Sequence, residues 1–468
     1  MPTLYLPELL YAEGRAWKAA ALLVDGDGRV VRVVAPAEVD ACLRQPEVEA
    51  VRLSGKALLP GLANAHSHSF QRLFRGRAEG RAAGGDTFWT WREQMYRAAG
   101  FVTPDDVYDV ARATFLEMLA SGITVVGEFH YLHNDRDGKP YADPNELAHQ
   151  VLRAAESVGI RICLLRTLYM RAGFEREPHA GQWRFYEDIE SYLRSAEALL
   201  AATEKNPRAT VGVAPHSVRA VPLAALKLAA EFAAERALPL HMHLSEQTGE
   251  NEACVAEYGA TPCTLMQQHG VLTDRTVLVH AIHMSEAEFA QVAAARARIC
   301  SCPTTERNLG DGIFPADLAA RLGIEICHGT DSQAQIDILE DARQNEYHLR
   351  LKARERGILD GIGGEAIGAR LLRGATRNGY RALGLAGGTL APGELADFFS
   401  ADLSDMALLG MYTTALPEQA VFALSRAAVR DVAVAGQLVL RDGQHASSEE
   451  IRARYKDVQR RFVQGEDV

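Results

Sequence analysis

The sequence predicts an α/β fold: a (β/α)8 TIM-like barrel carrying a small β-sandwich domain assembled from both chain ends. Three observations predict it. Short β-rich runs alternate with apolar helical segments over more than about 300 residues, the texture of parallel βα units. Eight such runs are present, the number that closes a barrel. Strand-and-turn patterns recur at both ends of the chain, each too short to bury a core alone.

In chain order, residues 1–58 read as short strands with turns, and LLVDGDGRVVRVVA alternates around Asp25-Gly26 and Asp27-Gly28 as a hairpin does. KALLPGLANAHSH opens the barrel. ITVVGEF, RICLLRTL, ATVGVAP, PLHMHLS, VLVHAI, RICSCP and IEICHGTD supply the other seven runs, with helical segments such as DVYDVARATFLEMLASG between them. AVRDVAVAGQLVLRDGQ is a second strand-turn-strand pattern, around Gly436. The tail from Ser447, with EEIRARYKDVQRRF, reads as one amphipathic surface helix. The expected division is 1–58 and 386–445 for the small β-domain, 59–385 for the barrel and 446–468 for a terminal helix and tail.

Composition narrows the function. The 468 residues are 47% apolar and 24% charged, ordinary for a globular protein. A formal charge of −11 argues against sequence-independent nucleic-acid binding, which depends on a basic surface. No uncharged apolar run reaches the length of about 18 residues that a membrane span needs. The N-terminus lacks a basic region and carries Glu8 and Glu13 within its apolar stretch, which disfavours a secretory signal. Seven scattered cysteines, only Cys300 and Cys302 being close, suit buried core positions in a reducing cytoplasm.

The chemistry gathers at strand ends. The first run ends in His66-Ser67-His68, and residues two apart on a strand face the same side, so both imidazoles can meet one ion. Later runs end in His216, in His243 followed by Glu246, in His280 and in Asp331. In a barrel these ends converge at one mouth. A shared divalent-metal site follows. Nitrogen and oxygen donors suit Zn2+ and leave Fe2+ or Mn2+ open.

LLPGLANAHSH, PLHMHLSEQ, VLVHAIH and HGTDS, with GTLAPGELADFF re-entering the small β-domain, resemble the amidohydrolase superfamily along nearly the whole chain. The resemblance implies that His66, His68, His243 and Asp331 are metal ligands, that Glu246 is the proton shuttle, and that His280 polarises the reacting centre. Asp331 would also orient the nucleophile. His243 rather than His241 takes the ligand role because it lies three residues before Glu246. RICLLRTL, the candidate for the fourth barrel strand, offers neither the Lys nor the Glu that bridges two ions from that strand in two-metal relatives, so one ion is expected, as in the deaminase branch. A bound divalent ion lowers the pKa of its water to roughly 7. Metal-bound hydroxide would then attack a carbon that bears nitrogen, with Glu246 moving the proton.

Gln71, Arg92, Tyr131, His216 and Arg219 fall near the mouth, and arginine grips carboxylates in a bidentate geometry, so a small acidic substrate is expected. GLANAHSHSFQRLFRGR, FWTWREQMY, GEFHYLH, APHSVRAV and CPTTERNLGDGIFP resemble the N-formimino-L-glutamate deiminases. That family hydrolyses the formimino C=N to N-formyl-L-glutamate and ammonia in histidine breakdown. The resemblance makes those five residues substrate contacts. Arg307, where a small residue is expected, departs from the pattern. The alternative is a deaminase of guanine, a pterin or a related ring stacked on Phe88, Trp89, Trp91 or Phe129. A third reading, a non-catalytic barrel kept for assembly, conflicts with the complete ligand set. A homodimer is expected because dimers are common in this superfamily.

Overall fold

The computed structural model describes residues 1–79 and 88–464, with the side chains of residues 88–90 outside that description. The chain begins with five strands: β1 (Thr3–Ala12), β2 (Arg15–Lys18), β3 (Ala21–Val24), β4 (Val30–Val34) and β5 (Glu49–Pro60). Eight follow with helices between most of them: β6 (Leu62–Ser67), β7 (Ile123–His130), β8 (Arg161–Leu168), β9 (Ala209–Pro215), β10 (Leu240–Leu244), β11 (Thr276–His280), β12 (Arg298–Ser301) and β13 (Ile326–His328). Three more complete the set: β14 (Phe398–Asp402), β15 (Val429–Val434) and β16 (Gln437–Leu440).

Strands β6 to β13 pair in sequence order, all parallel, as the eight apolar runs predict. RICLLRTL (β8), however, is the third barrel strand and the fourth is β9, ATVGVAP, which likewise holds no Lys or Glu. Every residue of β7 and β8 is buried, because helices cover one face and barrel packing the other. The ring closes through a bridge between Ser67 and Asp331. There the His68 amide donates to the Asp331 carbonyl and the Asp331 amide to the His66 carbonyl, both at 3.0 Å.

The terminal strands form a single mixed sheet in the order β16-β15-β14-β5-β1-β3-β4, with β2 on β1. Both hairpins read from the sequence are present, β3–β4 and β15–β16. Long β5 joins the two ends of the chain: it pairs in parallel with β1 and antiparallel with β14. Asp397, at the start of β14, is fully buried and fastens this sheet to the barrel. Its carboxylate accepts from Arg161 Nε (2.8 Å) and Nη2 (3.1 Å) on β8, from Tyr380 Oη (2.9 Å) and from the Ala435 amide (2.6 Å). A buried carboxylate is tolerated only with such complete pairing.

Helix signals are local and legible. Thr103 and Asp106 form a reciprocal capping box, followed by Pro104 at the first helical position of Pro104–Leu119. Helix Glu146–Val158 buries Leu147, Val151, Ala154, Ala155 and Val158 on one face and stops at Gly159, whose φ of 79° suits glycine. A side chain there would also strike Val439, 2.7 Å from the added Cβ. The terminal helix Ser448–Gln464 seats Ile451, Val458 and Phe462 inward and pairs Arg461 with Asp106 and Arg454 with Asp109 of the capped helix. No helix among the described residues is long and apolar enough to cross a membrane. All seven cysteines are buried free thiols.

Candidate active site

Four of the strand-end residues meet at the barrel's mouth. Donor atoms of His66, His68, His243 and Asp331 all lie within 4.8 Å of one another, and all four residues are buried. His66 Nε2 is 3.2 Å from His68 Nε2, while Asp331 Oδ1 is 3.5 Å from the first and 3.2 Å from the second. The far side of two rings is anchored: His68 Nδ1 lies 2.9 Å from the Phe129 carbonyl and His243 Nδ1 lies 3.1 Å from the His216 carbonyl. A carbonyl can only accept, so those Nδ1 atoms carry the protons and each Nε2 turns a lone pair inward.

The protonation states agree with a cation site. Burial, with little relief from Asp331, drives His66 down to about 3 and likewise holds His243 well below the usual imidazole range. Burial works against ionisation of Asp331, yet its hydrogen bonds with His66 and His68 hold the carboxyl well below the ordinary value. Neutral imidazoles and an ionised carboxylate are the forms that bind a metal ion. The donor set therefore fits one divalent ion.

His280 behaves differently. Burial alone would lower it, but Glu246, Glu306 and Asp331 overcome that and raise it to about 10. Its Nδ1 is 3.4 Å from Glu306 Oε1, and its Nε2 is 3.7 Å from Glu246 Oε1 and 3.6 Å from Asp331 Oδ2. His280 and Asp331 both sit at positive φ, 71° and 46°, although neither is glycine. Such backbone costs on the order of 1 kcal/mol or more and persists where surrounding contacts enforce it.

For Asp331 those contacts form a buried seam between the first and last barrel strands. Gln333 Nε2 donates to Ser67 Oγ (2.9 Å) and to the Asp331 carbonyl (3.0 Å), while its Oε1 accepts from Thr330 Oγ1 (2.8 Å). Asn64 pairs with Thr330 twice, its Nδ2 donating to the hydroxyl and its Oδ1 accepting from the amide. Glu128 on β7 accepts from Ser67 Oγ (2.6 Å), the Ser69 amide (2.7 Å) and Ser69 Oγ (2.6 Å). Asn64, Ser67 and Ser69 are thus tied to β7 or to the Asp331 loop.

A cavity opens above the four clustered ligands. It is lined by His68, His243 and Asp331, by Glu246 and His280, and by all five residues expected as substrate contacts: Gln71, Arg92, Tyr131, His216 and Arg219. His66 lies beneath, fully buried. Gln71 Nε2 donates to Tyr131 Oη at 2.7 Å, leaving its buried Oε1 without a partner among the described residues. His216 stacks on His243 with ring centroids 4.7 Å apart, and burial, then Arg219, keeps it well below the usual imidazole range. The Arg219 guanidinium has no hydrogen bond or ion pair among the described residues, and against burial Tyr169, Glu250 and Glu246 raise its pKa.

Other positions resolve plainly. His241, deeper on β10, bonds the Ala382 carbonyl at 2.9 Å and does not reach the cavity. Of the four aromatics considered for ring stacking, Phe129 packs beneath the ligands against His66 and His243, and Trp91 lines the cavity. The side chains of Phe88 and Trp89 lie outside the described residues. Arg307 points to the surface, where it bonds Gln335 and approaches Glu340. Sequence reasoning missed Tyr169, which accepts from Arg92 Nη2 at 3.1 Å and lines the cavity; its place just after β8 was the available signal. It also missed Glu306, Glu128 and Gln333.

Known proteins match along the same span. Residues 57–439 match the model of the amidohydrolase family. A formimidoylglutamate deiminase from Pseudomonas aeruginosa is 41% identical over 92% of this chain and 95% of its own length. An 8-oxoguanine deaminase from the same organism is 29% identical over 84% of each chain. Among solved structures, an amidohydrolase from Brucella melitensis superposes with a TM-score of 0.89 at 34% identity, covering 98% of this chain and 100% of that one. With barrel, ligand cluster and relatives agreeing, the chain belongs to the amidohydrolase family and is a metal-dependent hydrolase.

Proposed function

We propose that the protein is a formimidoylglutamate deiminase using one divalent ion, Zn2+, held by His66, His68, His243 and Asp331. The observation that carries the substrate is Arg219: a cationic guanidinium in the cavity wall, with no hydrogen bond or ion pair among the described residues. An anionic ligand supplies the partner that the protein omits. The Pseudomonas relative named a formimidoylglutamate deiminase supports the same reading.

When bound, a divalent ion supplies Lewis acidity and brings the pKa of water to roughly 7. The residues of this chain do the rest. Arg92 and Arg219 bind the carboxylates, and the unpartnered Gln71 Oε1 accepts an N–H of the formimino group. Water adds to the formimino carbon. Glu246 takes one proton from that water and passes it to the terminal nitrogen, giving a tetrahedral carbinolamine. It then moves the adduct's hydroxyl proton to the same nitrogen, so the C–N bond breaks, the C=O forms, and ammonia leaves with N-formyl-L-glutamate as product. Protonated His280 stabilises negative charge that develops beside Asp331.

The test is ammonia release by purified protein from N-formimino-L-glutamate, N-formimino-L-aspartate and guanine. The expected result is turnover of the first, abolished by a chelator and restored by zinc. No ammonia from that substrate combined with turnover of guanine would overturn the assignment in favour of a ring deaminase.

A further inference from the structure

Asp331 faces two ways. Its Oδ1 addresses His66 and His68, while its Oδ2 lies 3.6 Å from His280 Nε2. That His280 Nε2 is buried and has no hydrogen-bond partner among the described residues, although the other ring nitrogen approaches Glu306. Below them lies Cys302, fully buried where β12 turns into helix Pro303–Leu309, with its amide donating to Glu306 Oε1 at 2.7 Å. One donor atom each from His280, Cys302 and Asp331 lie within 4.8 Å of one another, a second cluster of metal-ligating atoms that shares only Asp331 with the first. Nothing in the hydrolysis assigned above uses Cys302.

We propose that His280, Cys302 and Asp331 form a second, inhibitory cation site, selective for thiophilic divalent ions such as Zn2+ in excess or Cd2+. Imidazole, thiolate and carboxylate are a donor set that zinc accepts, and the sulfur favours soft ions over Mg2+ or Ca2+. Glu246 Oε1, 3.7 Å from His280 Nε2, faces the remaining position. As the sulfur–metal bond forms, the Cys302 thiol proton passes to solvent, and no oxidation occurs. Occupancy takes His280 Nε2 out of reach of the reacting centre and ties up Glu246, 3.7 Å away. The consequence is a protein that one equivalent of zinc serves and excess zinc stops.

The test compares the wild type with Cys302→Ser, and with Cys300→Ser as a neighbouring control. Apo protein is titrated with Cd2+ alone, following bound metal by equilibrium dialysis and the thiolate-to-cadmium charge-transfer band in the ultraviolet. The expected result is two bound ions and a band in the wild type and in Cys300→Ser. Cys302→Ser should lose the band and bind the second ion more weakly by at least about tenfold, the scale seen when a metal site loses a supporting group. With one equivalent of zinc its rate should equal that of the wild type, while excess zinc no longer inhibits it. His243→Ala, which weakens the first site, should keep the cadmium band, so failure of the first site and failure of the second are told apart. A wild type that binds one ion without a thiolate band, or a Cys302→Ser variant inhibited by zinc as before, would overturn the proposal.

Discussion

Replacing Gln333 with leucine tests whether the seam between β6 and β13 positions the metal ligands. Gln333 is fully buried and its amide makes three side-chain hydrogen bonds: 2.9 Å to Ser67 Oγ, 3.0 Å to the Asp331 carbonyl and 2.8 Å from Thr330 Oγ1. Leucine has similar size and makes none. Each atom left behind keeps one partner, since Ser67 still donates to Glu128, Thr330 still accepts from Asn64, and the Asp331 carbonyl still accepts from the His68 amide. The loss is therefore three net hydrogen bonds of about 0.5–1.5 kcal/mol each rather than three orphaned groups, about 1.5–4.5 kcal/mol in all. The Asp331 backbone, at a φ of 46°, loses one of the contacts that hold it there. Metal affinity should fall by about 10–100-fold, as for other groups that orient ligands without touching the ion. Urea unfolding of the apo protein reads the first quantity, and competition with a chromophoric chelator reads the second. Gln333→Glu, which keeps acceptor capacity but loses the amide donors, should fall between the two. Unchanged metal affinity in Gln333→Leu would refute the positioning role, whatever happens to stability.

Glu246→Gln should keep bound metal while kcat falls by about 10²–10⁴-fold, the scale of a lost general acid–base; a near wild-type rate in a pre-steady-state ammonia assay would remove Glu246 from proton transfer. Arg219→Met should cost about 1.5–3 kcal/mol of charged hydrogen bonding, or roughly 10–150-fold in kcat/KM for formiminoglutamate. Unchanged kcat/KM would place Arg219 outside the substrate contacts. His328 should contribute an acid-sensitive part of stability. Burial lowers its folded pKa from 6.5 to about 4, so the unfolded chain takes up this proton first as pH falls. Its contribution is complete above pH 6.5 and is lost on descending toward pH 4, about 2 kcal/mol between pH 7 and 5 for this group alone. In His328→Gln the difference in urea unfolding free energy between those two pH values should shrink by that amount, and an undiminished difference would contradict the burial argument.

Much of this was legible because barrel strands are buried on both faces and so appear as uninterrupted apolar runs, each broken by polar residues where it reaches the mouth. That contrast located His66, His68, His243, His280 and Asp331 without any contact information. Tyr169 carried the same signal and was passed over because a tyrosine after an apolar run is also ordinary packing. Glu306, Glu128 and Gln333 carried none. Each matters through a partner distant in sequence, 26 residues for His280 with Glu306, 61 for Ser67 with Glu128 and 266 for Ser67 with Gln333. The left-handed backbone at His280 and Asp331 was equally unreadable, because neither residue type announces a positive φ as glycine does. Asp397 was hidden for another reason. An aspartate in GELADFF reads as a turn, and only the arrival of Arg161 and Tyr380 makes it a buried anchor.

Strand β5 carries a consequence for biosynthesis. One of its edges is taken by β1 at once, but the other waits for β14. On a ribosome making 5–20 residues per second, the roughly 340 residues between them represent about 20–70 s during which Ala57, Leu58 and Leu59 present an open apolar edge. Exposed edges recruit other chains, so the nascent protein depends on the intervening barrel, or on a chaperone, to shield that strand until its last partner emerges. A chain stopped before Phe398 should accumulate in aggregates during translation while the full chain does not. Solubility of ribosome-released truncations would show whether the danger lies in this wait or in the barrel itself.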